Sequence, residues 1–302
     1  MTSPTLPPGK TINNIGEVIL GFEQLGYITD SALATVVYLA LKLGKPLLLE
    51  GHAGLGKTEV AKTLAAFVET KLIRLQCYEG LDANAAVYEW NYQKQLLAIK
   101  AAEGSKQSVA EKEKHIFSRD FLMERPLLQA IQEPDVSPLL LVDEVDRADE
   151  AFEAFLLELL SDFQISIPEL GTIEAEHPPL VVLTSNRSRE LSDALKRRCL
   201  YHWIEYPSRE KEMKIVSARL PGIGADLERQ VVSFVQSVRR LNLLKSPGVA
   251  ETLDWAQALM ALGRTTLDAP AAEETLGCLA KSMDDIAKIK SAGVENVIAE
   301  AG

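Results

Sequence analysis

Three spaced glycines followed by a lysine and a threonine are the first residues in the chain with recognisable chemistry. The run is Gly51, His52, Ala53, Gly54, Leu55, Gly56, Lys57, Thr58 and then Glu59. It fits G-x-x-x-x-G-K-[ST], the pattern of a phosphate-binding loop. Glycines let successive main-chain N–H groups turn inward as a nest for anionic oxygens, at a helix N-terminus where the dipole also favours negative charge. Lys57 is then placed to reach the β- and γ-phosphates as a point charge, and Thr58 to offer its hydroxyl to magnesium. A phosphate-bearing ligand with Mg2+ is expected here.

A second group lies some ninety residues on. Residues 138–143 (PLLLVD) form an apolar run that ends in two carboxylates, Asp143 and Glu144. In phosphate-loop enzymes a strand ending in Asp is expected beside the loop strand. Asp143 would orient magnesium, partly through water, as its second ligand with Thr58, and Glu144 would polarise the attacking water.

These residues need a scaffold of alternating strands and helices. Residues 47–49 read as a buried strand before the loop, and residues 59–69 as the helix after it. Upstream, residues 12–44 read as a loop followed by a helix over 30–43, capped by Asp30 or Ser31 and stopped by Gly44. Downstream, strands are expected at 72–76, 138–143, 180–185 and 201–204, with a turn at 79–84. Helices are expected from Pro126, over 150–162 and over 192–198, and a hairpin over 163–176 that turns at 169–171. Phe152, Phe155, Leu156, Leu159 and Leu160 make a stripe of helical period, which is core packing. Residues 87–118 mix aromatic residues with a charged run at 104–114, read as a solvated helix face or loop.

Past Pro207 the strand signals stop. Leu227, Val231, Phe234, Val235, Val238 and Leu241 share one helical face, and Leu253, Ala256, Leu259 and Met260 another. The expected organisation is a flexible lead-in at 1–11, an α/β core at 12–207 and a helical domain at 208–302.

Composition narrows the function classes. With 302 residues, 47% of them apolar, the chain can bury a large core. A formal charge of −11, from 32 basic and 43 acidic residues, argues against general nucleic-acid binding. Cys77, Cys199 and Cys278 suggest neither a disulfide framework nor a metal site, and His52, His115, His177 and His202 lack ligand-like spacing. The N-terminus does not read as a signal peptide and no apolar run is long enough to span a membrane, so the cytoplasm is the expected location.

Taken in order, these motifs resemble the AAA+ ATPases and, within them, the MoxR family. The resemblance rests on GHAGLGKT at 51–58, LLLVDEVDRA at 139–148, the hairpin before VVLTSN at 181–186, and LSDALKRRCLYHWIEYP at 191–207. The last segment, with SPGVAETLDWAQAL at 246–259, looks most like the CoxD-type branch. The resemblance implies a five-stranded parallel sheet flanked by helices, a small all-helical lid, and a homo-oligomeric ring, usually hexameric, with nucleotide between neighbours. It also implies that Asn186 is a polar sensor of the γ-phosphate. Arg198 or its neighbour Arg197 would be the finger that enters the adjacent subunit's site. The expected activity is ATP hydrolysis by a remodelling chaperone. Its implied partners are a protein with a von Willebrand A domain and a client metalloenzyme, such as a molybdenum hydroxylase of the carbon monoxide dehydrogenase type. Residues 87–118 and 163–176 match family inserts and are implied to face the substrate. One departure stands out, since Gly248 occupies the place where many members carry a lid arginine, with Lys245 as a possible substitute.

Three other readings compete. An ATP-gated assembly scaffold would have less need of Glu144, a small-molecule phosphotransferase would work as a monomer, and a DNA-acting motor would need a basic track.

Overall fold

The computed structural model describes residues 4–102 and 108–301. The chain begins with α1 (Ile15–Gln24), α2 (Ser31–Leu43), β1 (Leu47–Gly51), α3 (Lys57–Val68) and β2 (Leu72–Gln76). Next come α4 (Ala83–Val87), β3 (Tyr88–Trp90), α5 (Tyr92–Ala101), α6 (Val109–Ile116), β4 (Leu122–Glu124) and α7 (Pro126–Ile131). Then follow β5 (Leu139–Asp143), α8 (Glu150–Asp162), β6 (Gln164–Ile167), β7 (Gly171–Glu174), β8 (Leu180–Ser185), α9 (Asp193–Arg198) and β9 (Leu200–Ile204). The remainder is helical: α10 (Arg209–Arg219), α11 (Ala225–Val238), α12 (Val249–Ala261), α13 (Ala269–Leu279), α14 (Met283–Ser291) and α15 (Val294–Ala301).

Five strands make a parallel sheet in the order β2-β5-β8-β1-β9. Apolar content explains the order. β1, β5 and β8 are buried at every position and take the centre, while β2 and β9 are part-exposed and take the edges. Leu47, Leu48 and Leu49 pair with Val182, Leu183 and Thr184, and Leu139 to Val142 pair with Leu180 to Leu183. This corrects the expectation that the strand ending in Asp143 lies beside the loop strand. β8 runs between them and carries Asn186 at its end.

The chain divides into two compact units. The first comprises residues 1–18, 32–50 and 64–202, the second residues 19–31, 51–63 and 203–302. In the first, the sheet packs against α7 and α8, with Leu127, Leu128, Phe152, Leu156, Leu159 and Leu160 in its core. Asp149 caps α8 by accepting from Phe152 N at 2.8 Å. In the second, α11 to α15 enclose a core centred on Trp255, which is wholly buried, stacks near Phe234 and donates to Thr275 Oγ1 at 2.7 Å. The inward face of α12 is Thr252, Trp255, Ala256 and Leu259, so Leu253 and Met260 of the expected face lie at its margin, half-buried.

Other expectations shift locally. Residues 12–30 hold a helix, α1, which was read as loop: Glu17 accepts from Asn13 and Asn14 and stabilises its first turn. Among the described residues of the lead-in, 4–11, no helix or strand forms, yet Thr5 exchanges main-chain and hydroxyl hydrogen bonds with Ser137. Residues 87–118 include two helices, α5 capped by Asn91 and α6 by a Ser108–Glu111 capping box, while residues 103–107 of the charged run lie outside the described residues. β6 and β7 form the expected hairpin, with Ile165 and Ile167 buried and Ser166 paired to Thr172 across the exposed face.

Candidate functional site

The loop residues 51–59 belong to the second unit. Gly54 and Gly56 have φ of +77° and +84°, in the left-handed region where a side chain is strained, so only glycine holds this turn cheaply. Lys57 opens α3 and is 6% exposed. Its ammonium donates to the carbonyls of Gly51 and His52, each at 2.7 Å, which holds the charge inside the curve of the loop. His52 stacks on Tyr206, with centroids 5.3 Å apart and planes at 24°, and meets Trp203 edge-on. Tyr27 lies at the edge of the turn, near Gly56, and burial pushes its hydroxyl pKa up. Glu59 is engaged by Arg219 at 3.2 Å.

The acidic strand end belongs to the first unit. Asp143 is buried, and each carboxylate oxygen has a partner. Arg74 donates to Oδ2 through Nε at 3.0 Å and Nη2 at 2.5 Å, and the Thr184 hydroxyl donates to Oδ1. Glu144 sits in the left-handed region at φ 53°, ψ 49°, a conformation that costs a non-glycine residue about 1–2 kcal/mol. Its N–H donates to Thr184 Oγ1 at 2.9 Å, so one hydroxyl fixes both carboxylate-bearing residues. Glu144 is half-exposed and pairs with Arg147 at 3.2 Å.

The turn after Glu144 carries the residue that sequence reasoning missed. Asp146, which is buried, accepts from the N–H of Asn186 at 3.2 Å and from both N–H and Oγ of Ser188 at 2.7 Å. A carboxylate that receives backbone donors in a buried place makes strong, charge-assisted bonds. It therefore ties the end of β8, and with it Asn186, to the turn that presents Glu144. Glu50, at the end of β1 and also buried, accepts from Ser185 Oγ and Tyr201 OH, both at 3.1 Å. Cys77 closes the group. Its N–H donates to the Asp143 carbonyl, and burial, reinforced by the charges of Asp143, Asp146 and Glu144, pushes its thiol pKa up to about 12.

Thus Asp143, Glu144 and Asn186 are brought together through Thr184 and Asp146, while residues 51–59 run from the end of β1 through a glycine turn into the first turn of α3. Arg197 and Arg198 close α9, the first exposed and the second half-buried, and among the described residues neither is in an ion pair. The helix that carries them is anchored from α8: Glu153 accepts from the N–H of its cap Ser192 at 2.9 Å and pairs with Arg189, which also donates to the Ala148 carbonyl. Lys245 is exposed, and its N–H is bound by the buried carboxylate of Asp285.

Residues 46–199 match the AAA domain, dynein-related subfamily. The chain belongs to this family. The AAA domain so defined spans the loop, the Asp143–Glu144 turn, the Asn186 strand end and α9. The chain is 23% identical over 221 residues to an uncharacterised protein of Staphylococcus haemolyticus, covering 71% of this chain and 76% of that one. It is likewise 23% identical over 245 residues to an uncharacterised protein of Staphylococcus aureus, covering 78% and 82%. Among solved structures, the RuvB Holliday junction branch migration motor of Thermotoga maritima is similar at 17% identity and a TM-score of 0.45. That likeness covers 82% of this chain and 66% of the motor's length.

Proposed function

We propose that this AAA domain protein hydrolyses ATP to ADP and phosphate. The observation that carries the reading is the Asp143–Glu144 turn: a buried carboxylate with both oxygens engaged, followed by a half-exposed one held in a strained left-handed conformation. Strain of this kind persists where the surroundings over-determine it, and it gathers at functional sites. Residues 51–59 bind the phosphates, with Lys57 exchanging loop carbonyls for phosphate oxygens. Glu144 accepts the proton of the attacking water, and Asn186 orients that water. Thr58 and Asp143 offer the hard oxygen donors that suit Mg2+, which when bound neutralises charge on the phosphate oxygens.

The finer reading is a MoxR-type remodelling ATPase of the CoxD-like branch, supported by the motifs at 51–58, 139–148, 181–186 and 191–207. It works as a ring, probed through Arg197 and Arg198, which close α9 without ion-pair partners among the described residues. A von Willebrand A domain partner and a metalloenzyme client belong to the same reading. α5 supports a partner-facing role for the insert, since Tyr92, Leu96 and Leu97 are each more than half exposed. The core at 12–207 and the lid at 208–302 are its proposed functional division.

The test is steady-state phosphate release from ATP, with Lys57→Ala as the baseline. Release well above baseline, lost in Arg198→Ala or Arg197→Ala while nucleotide binding is kept, supports a hydrolytic ring. Release no higher than the Lys57→Ala baseline contradicts hydrolysis and leaves the ATP-gated scaffold, and activity indifferent to both arginines favours a monomeric phosphotransferase.

A further inference from the structure

Within the second unit, α12 begins directly on the phosphate loop. The N–H of Ala250, in the first turn of α12, donates to the Gly54 carbonyl at 3.0 Å, so a loop carbonyl receives a donor that the helix itself leaves unpaired. The approach is close because two glycines face each other. A Cβ on Gly248 would stand 2.9 Å from the Ala53 oxygen and from the Gly54 carbonyl carbon and oxygen. Gly248 has φ −82° and ψ −172°, an extended backbone open to any residue, so glycine is required there for space alone. On the other side, a Cβ on Gly54 would meet Glu251 Oε2 at 2.6 Å, and that same oxygen accepts from Gly248 N–H at 3.0 Å.

A second chain of contacts leads back to the same place. His52 stacks on Tyr206, and the Arg239 guanidinium lies over that same Tyr206 ring, 5.0 Å from its centroid. Arg239 donates to the Pro247 carbonyl at 2.8 Å and pairs bidentately with Glu212 at 2.6 and 2.7 Å; both side chains are buried. Thr252 Oγ1 donates to Glu212 Oε1 at 2.8 Å and lies 3.0 Å from the Gly248 carbonyl. The path from His52 through Tyr206, Arg239 and Pro247 to Gly248 and back to Gly54 is closed. It leaves the loop at one residue and re-enters it two residues later.

We propose that this closed clasp makes Gly248 a positioning residue of the phosphate loop, so that the seating of α12 on Gly54 sets the loop's grip on nucleotide. The coupling works through main chain and ring stacking, with the buried Arg239–Glu212 pair as its rigid backing. It rests on the reading of residues 51–59 as a nucleotide loop, and nucleotide bound there changes the protection of the Ala250 amide.

The experiment compares full-length wild type, Gly248→Ala and Gly277→Ala by amide hydrogen exchange and by binding of a fluorescent ADP analogue. Gly277 is the control, because a Cβ there meets open space. In the nucleotide-free protein, Gly248→Ala speeds exchange at Ala250 by about 10-fold relative to α11 amides, as expected for overpacking at a tight contact. It weakens ADP binding by a similar ~10-fold factor, whereas Gly277→Ala matches wild type in both. Ala250 exchange within twofold of wild type overturns the clasp. Faster exchange with unchanged ADP affinity overturns the coupling. Absence of ADP binding by wild type overturns the proposed function instead, with the clasp still decided by the exchange data. Should Gly248→Ala fail to fold, Tyr206→Leu opens the other side of the circuit and carries the same two expectations.

Discussion

Replacing Asp146 with asparagine keeps the volume of the side chain and removes one carboxylate oxygen. Two backbone N–H groups, from Asn186 and Ser188, and the Ser188 hydroxyl converge on that carboxylate, which is 2% exposed. An amide offers one oxygen, so its NH2 must face an N–H donor whichever way it is turned. The loss is one charge-assisted bond, and one N–H is left buried without an acceptor, roughly 2–4 kcal/mol together. This is a large fraction of the stability of an ordinary domain, about 5–15 kcal/mol. The effect on chemistry follows from position: a displacement of ~1 Å at a group that orients water costs on the order of 100-fold in rate. Urea unfolding gives the stability change, and phosphate release with nucleotide affinity measured in parallel gives the catalytic one. Asp149→Ala is the comparison, because it lies three residues on, just past the turn, and removes only the cap of α8, worth ~0.5–2 kcal/mol. Asp146→Asn should lose turnover far beyond Asp149→Ala while still binding ATP. Equal turnover in the two variants, or a stability change under about 0.5 kcal/mol for Asp146→Asn, which is the range of surface substitutions, would refute the reasoning.

Three further outcomes are expected. Glu212→Ala strands the buried Arg239 guanidinium and should destabilise the protein by about 3–5 kcal/mol, read as a fall in thermal midpoint and in urea midpoint. The Cys77 thiol, with its folded pKa raised to about 12, should resist alkylation by iodoacetamide at pH 8 until the chain is unfolded. The sign for stability follows by linkage. Between the unfolded value near 8.5–9 and about 12 the folded state holds a proton the unfolded state has lost, so this group's contribution falls as pH rises through that window. Cys77→Ala should flatten that part of the pH–stability curve.

The glycine turn between β1 and α3 was legible because the pattern demands glycines, a lysine and a threonine at set spacings, and few other arrangements place backbone N–H groups so. The hairpin and the helix over Glu150–Asp162 were legible because alternation and a stripe of helical period each have one reading. The spatial order of the strands was hidden. Parallel strands are joined by crossovers, so chain order says nothing of which strand lies beside which, and β8 came between β1 and β5. Asp146 was hidden for another reason: in VDEVDRA it reads as one more surface carboxylate, and only the return of β8 brings the Asn186 and Ser188 amides onto it. Arg74 and Thr184, which hold Asp143, look like ordinary strand residues for the same reason. Gly248 was visible in sequence only as a missing arginine, and its close approach to Gly54 gives it a physical reason.

The most direct test of ATP hydrolysis at this site is phosphate release by Glu144→Gln, with ATP affinity measured on the same preparation. The side chain keeps its shape and loses the base, so binding at the loop should stay within a few-fold of wild type while release falls by about 100-fold or more, the usual weight of a positioned base. Turnover near the wild-type rate in a variant that binds ATP normally would contradict the assignment of Glu144 and, with it, the proposed mechanism.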